Sequence, residues 1–161
     1  MKIDPRNIPP EGLQVVGTRP ASFFGLPPDD PVQAISQFAY DLLIIRDDED
    51  LVVTGTLSAT FQLECGRCTE SFPYKVELTH YATELPIENE SPVDLTEPLR
   101  EDILLALPNH PRCENGNVEP RECPAEGRFD AVTDDASEEQ HEEPDRNVWG
   151  ALDQLQNLKR T

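Results

Sequence analysis

Between residues 51 and 63 the chain alternates strictly. Leu51, Val53, Gly55, Leu57, Ala59, Phe61 and Leu63 occupy odd positions, and Val52, Thr54, Thr56, Ser58, Thr60 and Gln62 fill the even ones. A period of two puts the two sets on opposite faces of a β-strand, and Val and Thr suit a half-buried pleated surface. The run is long for one strand, so Gly55 predicts a bend or a bulge. A second alternating run covers residues 72–82, with Phe72, Tyr74, Val76, Leu78, His80 and Ala82 against Lys75, Glu77 and Thr79. A third precedes both, at 32–46, where Ala34, Ser36, Phe38, Tyr40, Leu42 and Ile44 share one parity. Both faces of this run turn apolar towards its end, as in a strand covered on both sides. Asp47-Asp48-Glu49-Asp50 then interrupts the pattern, and four like charges predict a solvated turn. Together the runs predict a three-stranded antiparallel meander over residues 32–84.

The pattern changes on either side. Residues 1–30 are punctuated by prolines and read as an extended segment, with a short edge strand at 13–16 and one helical turn at 19–24 closed by Gly25 and Pro27-Pro28. Phe23 and Phe24 read as a hydrophobic plug. After the meander, Leu95, Leu99, Ile103, Leu104 and Leu107 recur at helical spacing. Asp94 or Thr96 caps this helix, Glu97, Glu101 and Asp102 favour its N-terminal half, and Pro108 ends it. Residues 109–127 are irregular. Residues 128–145 carry seven acidic side chains from Asp134 to Asp145 with no base among them, which predicts an acidic disordered linker. Residues 146–161 recover a helical stripe of Val148, Trp149, Leu152, Leu155 and Leu158. The expected architecture is α+β: an antiparallel sheet plus helix core over 31–127, and a C-terminal amphipathic helix on the acidic linker.

Charge narrows the partners. The 161 residues hold 13 Lys plus Arg against 32 Asp plus Glu, a net charge of -19. Affinity for nucleic acid normally rests on basic side chains displacing phosphate counterions, so this balance disfavours a direct grip on RNA. It favours basic protein partners, or serves solubility alone. Met1-Lys2-Ile3-Asp4-Pro5 opens no apolar signal region, and the longest aliphatic run, Leu42-Leu43-Ile44-Ile45, is too short to span a membrane. A cytoplasmic protein is expected, and in that compartment four cysteines point to metal ligation or free thiols rather than disulfides.

Cys65-Gly66-Arg67-Cys68 falls between the alternating runs at 51–63 and 72–82, at the expected hairpin tip. Two thiolates two residues apart on a turn can reach one ion, and Cys113 and Cys123 would complete a four-sulfur zinc site. The second pair lacks the spacing of a second knuckle, and His110 is an alternative ligand. A thiol-redox reading needs a low-pKa cysteine at a helix N-terminus, which a hairpin does not supply. Free packed thiols are the third reading. No phosphate-binding glycine loop, His-Glu-x-x-His or Gly-x-Ser-x-Gly motif occurs, and no catalytic residue is assigned.

The run Thr60-Phe61-Gln62-Leu63-Glu64-Cys65-Gly66-Arg67-Cys68, entered through Val53-Thr54-Gly55-Thr56-Leu57, resembles the signature of the YceD family, the large ribosomal RNA subunit accumulation proteins. So do the helix from Asp94-Leu95 to Ala106-Leu107-Pro108, the Cys113 loop, and the tail with Pro144-Asp145-Arg146, Trp149, Leu152 and Leu158-Lys159. The resemblance covers roughly residues 30–161. It implies a non-catalytic ribosome biogenesis factor supporting synthesis, processing or stability of large-subunit ribosomal RNA. Combined with the acidic balance, the expected partner is a basic ribosomal protein or a large-subunit assembly factor, with only weak or indirect RNA contact. The rival is a direct RNA-binding module using Arg67, Lys75, Arg112, Arg121 and Arg128.

Overall fold

A computed structural model describes residues 1–88 and 91–127. The expected acidic linker at 128–145 and the expected C-terminal helix at 146–161 lie outside the described residues. The elements are β1 (Lys2–Ile3), β2 (Leu13–Arg19), β3 (Gln33–Ala34), β4 (Phe38–Asp47), β5 (Asp50–Glu64), β6 (Ser71–Pro86), β7 (Val93–Asp94) and α1 (Thr96–Leu105), with single 3-10 turns at Pro5–Asn7, Ala21–Phe24 and Cys113–Asn115. The fold is α+β, as expected. None of these helices is long and apolar enough to cross a membrane.

The meander forms as β4-β5-β6, all antiparallel, and β2 adds to the free side of β4 from Leu13↔Ile44 to Arg19↔Phe38. The N-terminal segment therefore belongs to the sheet. Its short expected strand lengthens because β4 supplies a ladder along its whole length. β1 and β7 pair separately and bring the start of the chain to the start of α1. The Asp47–Asp50 turn is as tight as its charges suggest: Asp47 pairs with Asp50, and Asp48 has a φ of 48°, a conformation that Asp tolerates better than most residues.

The expected strand at 32–46 is two pieces. The Ser36 Oγ accepts the Thr60 N–H at 2.8 Å, and the Ile35 N–H donates to the Thr60 carbonyl at 2.9 Å. A side chain thus takes a place in the ladder, and the strand jogs between β3 and β4. In β5 the alternation is followed throughout: Leu51, Val53, Leu57, Ala59, Phe61 and Leu63 are all buried. Gly55, with φ 148°, marks the expected irregularity, and a Cβ there would lie 2.0 Å from the Asp41 carbonyl oxygen.

The extra residue belongs to β6. Leu57 pairs with Leu78 and Gly55 with Tyr81, so Thr79 and His80 together oppose Thr56, a β-bulge. Phe72 and Val76 point into the core before it; after it the parity flips, burying Tyr81 and exposing His80 and Ala82. The even-position face expected for 72–82 is corrected there.

Phe24 is fully buried, with its ring against Phe23, Phe38 and Phe61 at centroid distances of 5.4, 5.7 and 4.9 Å. The plug is real. The α1 stripe buries Leu95, Leu99 and Ile103 in the same core, and Arg100 Nε donates to the Phe24 carbonyl at 2.7 Å. The N-cap of α1 is Leu95, without a side-chain cap bond, in place of the expected Asp94 or Thr96; the Asp94 carboxylate, one residue earlier, accepts the Thr96 N–H at 2.9 Å.

Candidate metal centre

The tip between β5 and β6 is folded by its own backbone. Cys65 N–H donates to the Glu70 carbonyl at 3.0 Å, and Thr69 N–H to the Cys65 carbonyl at 2.8 Å. Thr69 takes a φ of 62° to close the turn. Gly66 N–H then donates to the Pro111 carbonyl at 2.9 Å, which brings the segment after α1 over the tip. That segment contains two further turns, each headed by a cysteine. Gly116 N–H returns to the Cys113 carbonyl at 3.1 Å, and Glu126 N–H to the Cys123 carbonyl at 2.9 Å.

Four sulfurs therefore meet. Cys65, Cys68, Cys113 and Cys123 place their sulfur atoms within 4.8 Å of one another and are able to hold a metal ion. The Cys65–Cys123 distance is 3.9 Å and the Cys68–Cys113 distance 3.5 Å. These are far beyond the roughly 2.05 Å of a disulfide, and all four are free thiols. Cys65 and Cys113 are fully buried, Cys123 nearly so, and Cys68 is half-buried at the mouth. His110 is exposed and is not one of the converging groups.

The electrostatics favour thiolate at one corner. Burial pushes the Cys65 thiol up, but the backbone N–H groups of Cys68, Arg67 and Cys113 aimed at its sulfur outweigh burial and bring it down to about 6. Burial, followed by hydrogen bonds with Cys68 and Cys65, pushes Cys113 up to about 12. The backbone donors thus ease ionisation at Cys65, and burial opposes it at Cys113.

Two arginines that sequence reasoning left as surface residues close the site. Arg121 Nη2 lies 3.4 Å from the Cys113 sulfur and 3.4 Å from the Ser71 carbonyl, and its Nη1 pairs with Glu70 at 3.0 Å. Arg67 is partly buried. Its guanidinium pairs with Glu114 at 2.9 Å and reaches the Cys123 sulfur. Of the five bases in the RNA-binding alternative, Arg67 and Arg121 are thus turned onto the cysteine cluster, and Lys75 pairs with Glu77 at 2.8 Å. Arg128 lies outside the described residues.

The spacing of Cys113 and Cys123 argued against the site because a second knuckle was assumed. Separate turns need no fixed spacing between them. A turn signal was present at each: Gly116 follows Cys113, and Pro124 with Gly127 follows Cys123. No protein-family model, curated protein or solved structure matches this chain.

Proposed function

We propose that the protein is a non-catalytic factor supporting the supply of large-subunit ribosomal RNA, built on a zinc-stapled β-sheet, and that it acts by engaging a basic protein. The observation that carries this reading is the coincidence of two features at one place. The Cys65-Gly66-Arg67-Cys68 tip bears the family resemblance, and it is also where the four sulfurs meet.

Zinc suits the donor set. Four sulfurs at about 2.3 Å from zinc in a tetrahedron stand about 3.8 Å apart, and the 3.5 and 3.9 Å separations bracket that value. Four thiolates around a divalent ion leave two negative charges, which Arg67 and Arg121 offset. A closed site with four protein ligands is structural. An ion held by Cys65, Cys68, Cys113 and Cys123 would tie the hairpin tip to the segment 111–127, and the chemistry it would supply is cross-linking. The net charge of -19 supports a basic protein rather than RNA as the partner.

The test starts with protein purified without chelators. Elemental analysis is expected to give near-stoichiometric zinc, and its absence refutes the staple. The zinc-loaded protein is then titrated with basic large-subunit ribosomal proteins and with ribosomal RNA fragments. Saturable protein binding is expected. Tight, salt-sensitive RNA binding that disappears in Arg67→Ala overturns the protein-partner reading.

A further inference from the structure

β6 ends the sheet, and its two halves are treated differently. The direction of its backbone groups follows from one contact. Asn117 Oδ1 accepts the Lys75 N–H at 2.7 Å and its Nδ2 donates to the Lys75 carbonyl at 2.8 Å. Lys75 therefore turns both backbone groups away from β5. In an antiparallel strand this direction repeats every second residue, so Ser71, Pro73 and Glu77 share it. Pro73, which has no N–H to give a ladder, sits where none is needed, and the Ser71 carbonyl meets Arg121. Beyond the bulge, Tyr81 faces Gly55 in the β5-directed set, so Ala82, Glu84 and Pro86 point outward. Residues 71–75 are thus covered by the segment carrying Cys113 and Cys123, and Pro86 blunts the far end. Among the described residues nothing bonds to the outward backbone groups of Glu77, Ala82 and Glu84 between them.

A cleft of about 490 Å³ runs along this window, lined by Glu77, Leu78, Thr79, His80, Tyr81 and Ala82 of the strand and Asp102 of α1. Six consecutive residues of one strand make a groove parallel to the edge, the shape an added strand fills. The charges beside it are negative. Glu77 and Glu84 flank the edge and Asp102 overlooks it, with its Oδ2 accepting the Tyr81 hydroxyl at 2.9 Å. The Lys75–Glu77 pair is half exposed and exchanges readily.

We infer that the outer edge of β6 from Glu77 to Glu84 is a docking site for an extended, lysine- and arginine-rich segment of a partner protein, which adds as a strand and places cations against Glu77, Glu84 and Asp102. This deepens the proposed function and rests on its basic-partner reading. A second copy of this chain would bring Glu77 and Glu84 against their own like charges, and RNA offers no backbone to pair with a strand. The β2 edge, the other end of the sheet, has no such acidic border: its outward residues by the same parity are Gln14, Val16 and Thr18.

The test uses the zinc-loaded full chain and a labelled peptide alternating lysine and valine, followed by fluorescence anisotropy. Ala82→Pro removes one outward N–H and leaves the β5 ladder intact. It is expected to weaken binding at least tenfold, as is Glu84→Lys, while Thr18→Pro on the β2 edge leaves binding unchanged. Zinc content and far-UV spectra confirm that each variant is folded. Amide exchange on the wild type needs no variant: Glu77, Ala82 and Glu84 are expected to slow on adding peptide. If an intact basic ribosomal protein binds but neither substitution weakens it and these amides stay unprotected, the edge site is wrong and the basic-partner reading stands. If neither the peptide nor a basic protein binds while an RNA fragment does, both fall.

Discussion

At the scale of single residues, the sheet is held to its shape by one atom that is missing. Gly55 pairs with Tyr81 just past the β6 bulge, with φ 148° and no room for a Cβ beside the Asp41 carbonyl. Gly55→Ala has to move the backbone of β4 or β5, at a cost on the order of 3 kcal/mol or more; denaturant unfolding of the zinc-loaded protein measures it. Arg121 is the second such residue. It touches a candidate ligand sulfur, a β6 carbonyl and Glu70 at once. Groups that orient metal ligands typically matter 10–100-fold in affinity, so Arg121→Met is expected to weaken zinc by about that factor in a chelator competition with little change in the β-sheet spectrum. Cys123→Ser, which removes one of the four candidate ligands, is expected to abolish stoichiometric zinc. Arg121 was invisible in the sequence because its partners are 8 and 50 residues away, and no local pattern marks such a contact. The cysteines themselves were legible as a set. Their convergence was not, since it depends on two turns held over the hairpin tip by the Gly66–Pro111 bond.

At the scale of elements, legibility tracks how many neighbours decide a residue's place. β5 is paired on both sides, so its buried face must repeat every second residue, and its run of odd positions could be read directly. Among the described residues, β6 is paired on one side only. Its bulge is set by how it meets Gly55 and Thr56, and the parity of its second half follows from that pairing rather than from its own composition. The break between β3 and β4 has the same origin, a Ser36 hydroxyl standing in for a backbone acceptor. α1 was readable because its buried Leu95-Leu99-Ile103 stripe and the Pro108 beyond its end are local signals. The segment 111–127 is the opposite case. It contains one 3-10 turn, and it is attached through Gly66, Asn117, Arg121 and the cysteines. Chelating the metal is therefore expected to raise amide exchange at Gly66, Asn115 and Gly116 and to open 111–127 to protease. The centres of β4 and β5, secured by their own ladder and by Phe38, Leu42 and Phe61, are expected to keep their protection. Uniform loss across the sheet would show that the ion holds the whole fold and not this segment alone.

At the scale of the whole molecule, β5 separates two poles. One of its ends reaches the cysteine tip and the other the Asp47–Asp50 turn. At about 3.3 Å per residue, its 15 residues hold the two roughly 50 Å apart. The cysteine pole carries arginines whose charge is spent on sulfur and carboxylate. The acidic turn carries four carboxylates in sequence, and Glu84 and Glu88 follow at the adjoining end of β6. Among the described residues, the acidic turn and the outer half of the β6 edge are therefore where a basic partner of the kind proposed would be drawn. Long-range attraction of this kind acts on the association rate and is screened within about 10 Å at 0.1 M salt. Strand pairing within the cleft is short-ranged and acts on dissociation. Raising salt from about 20 to 300 mM is therefore expected to slow capture of a basic protein by an order of magnitude or more, with a much smaller change in its dissociation rate. Stopped-flow mixing resolves the two. Neutralising Asp47, Asp48, Glu49 and Asp50 to the amides is expected to flatten the salt dependence of association while Ala82→Pro raises dissociation alone. An association rate indifferent to salt would mean that the acidic surface serves solubility and not partner capture.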